Sequence, residues 1–164
     1  MGEKREGLAT VKTSPVDAVV MPESVGRGLL THARNEAPLE CCGLLIGTKE
    51  QVVRSARAHN LYQSPTRYRV DPVDHFEAIR TARNEGLEVV GAYHSHPGSL
   101  PQPSETDLNQ ANYPQFVYVI VSLVSKETEA IKGYRMRSGQ ATQVELISHE
   151  ESRCAGSIRG EGNR

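Results

Sequence analysis

The chain has 164 residues, which is enough to bury the core of one domain without disulfides or a structural metal. With 37% hydrophobic and 24% charged residues it has the composition of a globular protein, and no apolar run approaches the roughly 20 residues that span a bilayer. The formal net charge is −1 and no basic cluster stands out, whereas phosphate contacts require grouped Lys and Arg. We therefore expect no nucleic-acid partner and no membrane partner; the oligomeric state is open.

The cysteines and the N-terminus bear on the cellular compartment. Cys41 and Cys42 are adjacent, and Cys154 lies in a polar stretch near the C-terminus. Adjacent cysteines rarely pair, so we interpret the first two as buried free thiols and expect a reducing, cytoplasmic location. The charged N-terminus lacks the apolar segment of a secretory signal. The polar ends predict a disordered segment over 1–14 and a flexible tail over 150–164, with the folded domain over 15–149.

The first half of the chain predicts a strand, a helix and a pair of strands. In chain order they cover residues 17–21, 22–36, 39–47 and 51–59. Pro22 suits the first turn of the helix, where a missing N–H needs no partner, and Pro38 ends it.

The second half begins with a helix that Asp71 caps and that Gly86 ends. A strand over 87–95 then runs into a loop rich in proline, and Ser104 caps a short helix to about residue 111. Three further strands are predicted over 116–123, 130–136 and 143–147. This alternation of helices and strands indicates an α/β or α+β sheet domain.

Two histidines carry the strongest chemical signal. His94 and His96 stand at the end of a predicted strand, where residues i and i+2 face the same side, so their imidazoles can converge. Asp107 lies in the first turn of the following helix, and the intervening loop can bring its carboxylate back to them. Two imidazoles and one carboxylate form a typical catalytic zinc site with one position open for water.

Two further side chains complete the set. A catalytic zinc site requires a nearby proton acceptor, and Glu40 stands at the start of an otherwise apolar strand. A charge buried there costs several kcal/mol unless something compensates it, as a metal site would. Ser104 precedes Asp107 by about one helical turn and lies on roughly the same side.

Structural explanations compete with this interpretation. The histidines can be ordinary strand residues, and Glu40 can lie at an exposed strand end. Ser104 and Asp107 also match a helix capping box, and we expect that Asp107 does not both cap and bind zinc with the same oxygens.

The combined motif is highly specific. Its parts are H-x-H-P followed by S-x-x-D, with P-x-E-x-C-G upstream, which correspond to residues 94–97, 104–107 and 38–43. It resembles the signature of the JAMM/MPN+ metalloprotease family, and the resemblance extends over about residues 17–137. Residues 38–47, and Asn60 with residues 64–68, resemble the bacterial, sulfur-carrier-processing branch.

The resemblance implies a fold, a cofactor and a reaction. The fold would be an MPN/JAMM-type mixed central β-sheet flanked by helices, similar to that of cytidine deaminases. One zinc ion (Zn²⁺) would be held by His94, His96 and Asp107, Glu40 would transfer the proton, and Ser104 would stabilise the oxyanion. The family cleaves amide and isopeptide bonds at the C-terminus of ubiquitin-like or sulfur-carrier proteins.

One departure narrows the substrate. Only residues 108–117 separate Asp107 from Tyr118, where deubiquitinating members carry a longer insertion, so a small bacterial carrier is favoured. A non-catalytic MPN-type scaffold is the alternative, although such relatives typically lose the metal ligands. A zinc deaminase would require H-x-E and P-C-x-x-C, and neither is present.

Overall fold

A seven-stranded mixed β-sheet runs through residues 17–150, the part of the chain that the computed structural model describes. Its strands, numbered in chain order, are β1 (Ala18–Val20), β2 (Cys42–Gly47), β3 (Val52–Ala58), β4 (Glu88–His96), β5 (Val117–Ser122), β6 (Ile131–Arg137) and β7 (Gln140–Ile147). The helices are α1 (Glu23–Glu36), α2 (Pro72–Asn84) and α3 (Glu105–Gln110), with a 3₁₀ turn at Glu127–Glu129. The spatial order is β1-β7-β6-β5-β4-β2-β3, in which β1/β7 and β4/β5 are parallel and the other neighbours are antiparallel.

The central strands are apolar on both faces because helices cover both sides of the sheet. Leu45 packs into one core cluster with Leu29 of α1, whereas Leu44 packs into a second cluster with Ala82 of α2. The same alternation continues along β5 and reflects the two-residue period of strands. The sheet therefore lies between α1 on one face and α2 on the other.

Tyr93 fixes the middle of β4 against α1. Its ring lies so close to the backbone of Gly43 that a Cβ at that position would overlap it, so glycine is required there. Its hydroxyl pairs with Nδ1 of the buried His32 at 2.8 Å. Tyr93 is thus a packing residue that anchors the strand carrying His94 and His96.

The predicted order of helices and strands is confirmed, with two corrected boundaries. Strand β2 begins at Cys42 and not at residue 39, because the Glu40 N–H donates to the carbonyl of Ser64 instead of joining the sheet. Strand β7 begins at Gln140 and not at residue 143, because a tight turn at Ser138 and Gly139, both with positive φ, lets β6 pair with β7 from Gln140 onwards.

Some predictions concern the ends of the chain. The disordered segment over 1–14 and the tail over 150–164, except Glu150, lie outside the described residues. Within residues 17–150, no helix is both long and apolar enough to cross a bilayer. Cys41 and Cys42 are buried free thiols, as predicted.

Candidate functional site

The site is built on the C-terminal end of β4, near the centre of the sheet. His94 pairs with Cys42 of β2 on one side and with Ile120 of β5 on the other. His94 and His96 therefore project from a rigid strand that is hydrogen-bonded on both edges. Only 1% of His94 and 5% of His96 is exposed, so both rings lie in a largely water-free environment.

Asp107 of α3 completes a three-residue cluster. Its Oδ1 lies 3.3 Å from Nε2 of His94, and its Oδ2 lies 3.2 Å from Nε2 of His96. The two Nε2 atoms are 3.1 Å apart. The structure thus brings together three side chains that the sequence analysis proposed as ligands, and their donor atoms converge on one point.

These distances match a small tetrahedral ion. Ligand atoms placed about 2.0–2.2 Å from a tetrahedral zinc are about 3.3 Å from one another. Two imidazole nitrogens and a carboxylate are also the donor set of catalytic zinc sites. His94, His96 and Asp107 can therefore hold a metal ion without rearrangement.

The two imidazoles differ in their surroundings. Nδ1 of His96 lies 2.9 Å from the carbonyl oxygen of Leu100; an N–H there donates to it and leaves Nε2 free to bind a metal. Nδ1 of His94 is buried and has no hydrogen-bond partner within the described chain. The orientation of the His94 ring is therefore not set by a hydrogen bond at Nδ1.

Burial and mutual contacts shift the pKa values of these groups. Burial lowers the pKa of His94 and outweighs its contacts with Asp107. Burial also acts to lower the pKa of His96, but hydrogen bonds to Asp107 and Leu100 outweigh it, and the net shift is upward. For Asp107, burial acts to raise the pKa, but hydrogen bonds from both histidines lower it well below its usual range. Asp107 is therefore an ionised, ligand-competent carboxylate.

The capping box and the ligand cluster coexist on Asp107. Its Oδ2 accepts the backbone N–H of Ser104 at 2.8 Å, while its own N–H donates to Ser104 Oγ at 3.1 Å. The expectation that Asp107 does not cap and bind zinc with the same oxygens stays a prediction; Oδ1 takes no part in the cap and faces His94, so one oxygen is left for a metal. In this contact Ser104 Oγ accepts, so its O–H can still donate to another molecule.

Glu40 lies just before β2 and is buried, with 4% exposed, which excludes an exposed strand end. Its Oε2 has no hydrogen-bond partner among residues 17–150. Burial raises the pKa of Glu40 to about 8; the charge of His96 opposes this rise and that of Asp107 adds to it. Glu40 is thus a carboxyl group able to exchange a proton near neutral pH, beside the metal-ligand cluster.

Contacts that the sequence analysis missed fix the positions of Glu40 and His94. Asn60 Nδ2 donates to the Glu40 carbonyl at 3.1 Å, and Ser95 Oγ accepts the Cys41 N–H at 2.8 Å. The ring of Tyr68 lies parallel to that of His94, with ring centroids 4.3 Å apart and an interplanar angle of 18°. The only sequence signal was the likeness of the segment around Asn60 and Tyr68 to the bacterial branch.

A second group of metal-binding residue types lies on the surface. His59, Asp71 and Asp74 are close enough to share an ion, but His59 is exposed and the acids are explained by other contacts. Asp74 accepts hydrogen bonds from the backbone N–H of His59 and from its ring, and Asp71 caps α2 by accepting the Val73 N–H. The buried cluster on β4 is the better candidate for chemistry.

The fold and the site together define a mixed α/β domain with a buried cluster that can hold a metal ion. The sequence profile described as prokaryotic homologs of the JAB domain matches residues 22–137, and the chain belongs to this family. The predicted resemblance and fold class are thereby confirmed.

Similar proteins agree with this assignment. The CysO-cysteine peptidase of Mycobacterium tuberculosis is 29% identical over 81% of this chain and 92% of its own length. The probable TtuB-protein conjugate cleaving protease of Thermus thermophilus is 35% identical over 75% of this chain and 82% of its own length. The solution structure of a protein from Desulfitobacterium hafniense superimposes with a TM-score of 0.75 and 31% identity, covering 81% of this chain and 94% of that one. The chain is therefore a hydrolase of the JAB type.

Proposed function

We propose that the chain is a zinc-dependent peptidase that cleaves an amide or isopeptide bond at the C-terminal tail of a ubiquitin-like or sulfur-carrier protein. The observation that carries this proposal is the convergence of His94, His96 and Asp107 beside the buried Glu40, whose Oε2 has no hydrogen-bond partner among residues 17–150. Scaffold proteins have no need for such a cluster, because burying these charges without a metal is costly. We take residues 15–149 as the catalytic domain.

His94, His96 and Asp107 would hold the zinc ion. Zinc in such a site supplies Lewis-acid chemistry, which polarises a carbonyl and lowers the pKa of water. Glu40, buried beside this cluster, would accept the proton from the attacking water and return it to the departing amine. Ser104 would donate its O–H to the oxyanion that develops on the substrate carbonyl.

The substrate class follows from the names of the similar proteins. One is named a CysO-cysteine peptidase and another a probable TtuB-protein conjugate cleaving protease. The connection between α3 and β5 is short and lacks the insertion that the resemblance attributes to deubiquitinating members. A small carrier protein joined through its C-terminus to cysteine or to a lysine side chain is therefore the proposed substrate.

Metal content and cleavage together test this function. We expect about one zinc per purified chain by elemental analysis. His96→Ala should lose the ion, whereas His59→Ala, a matched change in the surface cluster, should retain it. Carrier-protein fusions and cysteine adducts should be cleaved by the wild-type protein and not by the zinc-loaded Glu40→Gln variant. Absence of zinc after metal addition, or equal cleavage by both proteins, would contradict the proposal and favour the scaffold interpretation.

A further inference from the structure

His94 and His96 are held in different ways, although both offer Nε2 to the same point. A metal-binding histidine is normally oriented by a hydrogen bond at its other ring nitrogen. His96 has this bond, to the carbonyl of Leu100 at 2.9 Å. His94 is 1% exposed, and its Nδ1 has no partner in the part of the chain that is described. Something else must fix the rotation of the His94 ring.

The ring of Tyr68 contacts the face of His94. The centroids are 4.3 Å apart and the planes are inclined by only 18°, which is a close stack, whereas His96 meets the same imidazole at 60°. A ring stacked on this face opposes rotation of the imidazole about its Cβ–Cγ bond. Burial raises the pKa of the Tyr68 phenol, so the ring is neutral at every physiological pH.

The loop that carries Tyr68 is anchored on both sides of it. Asn60 Nδ2 donates to the carbonyl of Arg67 at 3.0 Å, and Asn60 Oδ1 accepts the N–H of Arg69 at 3.0 Å. A β-bridge between Asn60 and Val70 closes the loop. These contacts fix the backbone on both sides of Tyr68 independently of the contact between its ring and His94.

We propose that Tyr68 is a positioning residue for the metal ligand His94, and that its stacked ring replaces the hydrogen bond that Nδ1 of His94 lacks. The proposal rests on the metal site of the proposed function but does not depend on the substrate. It predicts that zinc affinity depends on the aromatic ring of Tyr68 and not on its hydroxyl group.

Metal affinity of three variants tests this role. Zinc is titrated in competition with a chromophoric chelator into the wild-type protein, Tyr68→Leu, Tyr68→Phe and Tyr62→Leu. The last is a matched control, because Tyr62 lies in the same loop and packs against Arg67. We expect the zinc Kd to rise about tenfold in Tyr68→Leu and to stay within about twofold in the other two. The absorption spectrum of bound Co²⁺ should change only in Tyr68→Leu.

Several outcomes would overturn the inference. An unchanged zinc Kd and Co²⁺ spectrum in folded Tyr68→Leu would do so, as would an equal loss of affinity in Tyr62→Leu. A wild-type protein that binds no zinc would instead overturn the proposed function, so the two failures are distinguishable.

A second measurement does not depend on the folding of any leucine variant. The carbon-bound ring protons of His94 in the metal-free wild-type protein should resonate upfield in NMR spectra, because they lie over an aromatic face. Tyr68→Phe should preserve this shift. Unshifted resonances would overturn the stack as the positioning device.

Discussion

The side-chain amide of Asn60 holds the backbone of Glu40. Its Nδ2 donates to the Glu40 carbonyl at 3.1 Å and also to the Arg67 carbonyl at 3.0 Å. Its Oδ1 accepts the N–H groups of Tyr62 at 3.1 Å and Arg69 at 3.0 Å. One residue thus ties the loop that carries Tyr68 to the segment that carries the proposed base.

Replacing Asn60 should therefore affect both stability and activity. Asn60→Ala removes four hydrogen bonds at about 1 kcal/mol each, so we expect a loss of about 2–4 kcal/mol in the free energy of unfolding. The kcat should fall about tenfold or more, because Glu40 loses its fixed position. Urea unfolding and steady-state kinetics measure the two effects. Asn84→Ala, at an exposed position at the end of α2, is the control and should change neither. Wild-type kinetics in Asn60→Ala would contradict the positioning role.

Ser104 has two separable roles at the start of α3. Ser104→Ala should lose the helix cap, at about 1 kcal/mol, and the proposed oxyanion donor, at about 100-fold in kcat. The KM and the zinc content should change little, because the ligands are other residues. Ser104→Thr keeps the hydroxyl and should recover most of both. If zinc-loaded Ser104→Ala retains full kcat, Ser104 is a cap only.

The parts of the site that could be predicted from the sequence are those whose side chains are close together along the chain. His94 and His96 share a face because strand residues alternate, and Ser104 and Asp107 are adjacent because a helix turns once between them. These relations are visible in the sequence. They are sufficient to propose the ligand set from the sequence alone.

The supporting residues could not be predicted in this way. Tyr68 and Asn60 lie in a loop without apolar periodicity, and their contacts with His94 and Glu40 join distant parts of the chain. The same loop explains the wrong start of β2, since the carbonyl of Ser64 takes the Glu40 N–H. Competition between a loop and a sheet for one N–H depends on tertiary packing, which residue patterns do not encode.

Metal binding should stabilise the fold through the buried cluster. Zinc at a free concentration of about 100 Kd should raise the free energy of unfolding by about 2.7 kcal/mol, because it binds the folded state alone. Asp107→Asn should abolish this increase, and a chelator should reverse it in the wild-type protein. Thermal unfolding with and without zinc measures it.

The matched variant in that experiment is Asp74→Asn, which alters the surface cluster of His59, Asp71 and Asp74. It should retain the zinc-dependent increase. The opposite pattern, with the increase lost in Asp74→Asn and kept in Asp107→Asn, would assign the metal to the surface cluster.

The buried carboxyl of Glu40 should make the stability of the metal-free protein depend on pH. Burial raises its pKa from an ordinary 4.5 to about 8 in the folded state. Between these values the unfolded chain has lost a proton that the folded protein retains, so the free energy of unfolding falls as the pH rises from about 4.5 to about 8. Glu40→Gln removes this dependence and should make the chelator-treated protein more stable at pH 8, by up to about 4 kcal/mol.

Urea unfolding at pH 5 and pH 8 measures the effect. Glu36→Gln, at an exposed position in the last turn of α1, is the control and should keep the wild-type slope. The zinc-loaded Glu40→Gln variant should at the same time lose about 100-fold or more in kcat, because the amide cannot accept the proton. If both results are obtained, Glu40 destabilises the fold at neutral pH and is needed for turnover, so its role is catalytic and not structural. If Glu40→Gln instead unfolds more easily at pH 8 than the wild-type protein, the Glu40 carboxylate is stabilised in the folded state and is not poised to exchange a proton.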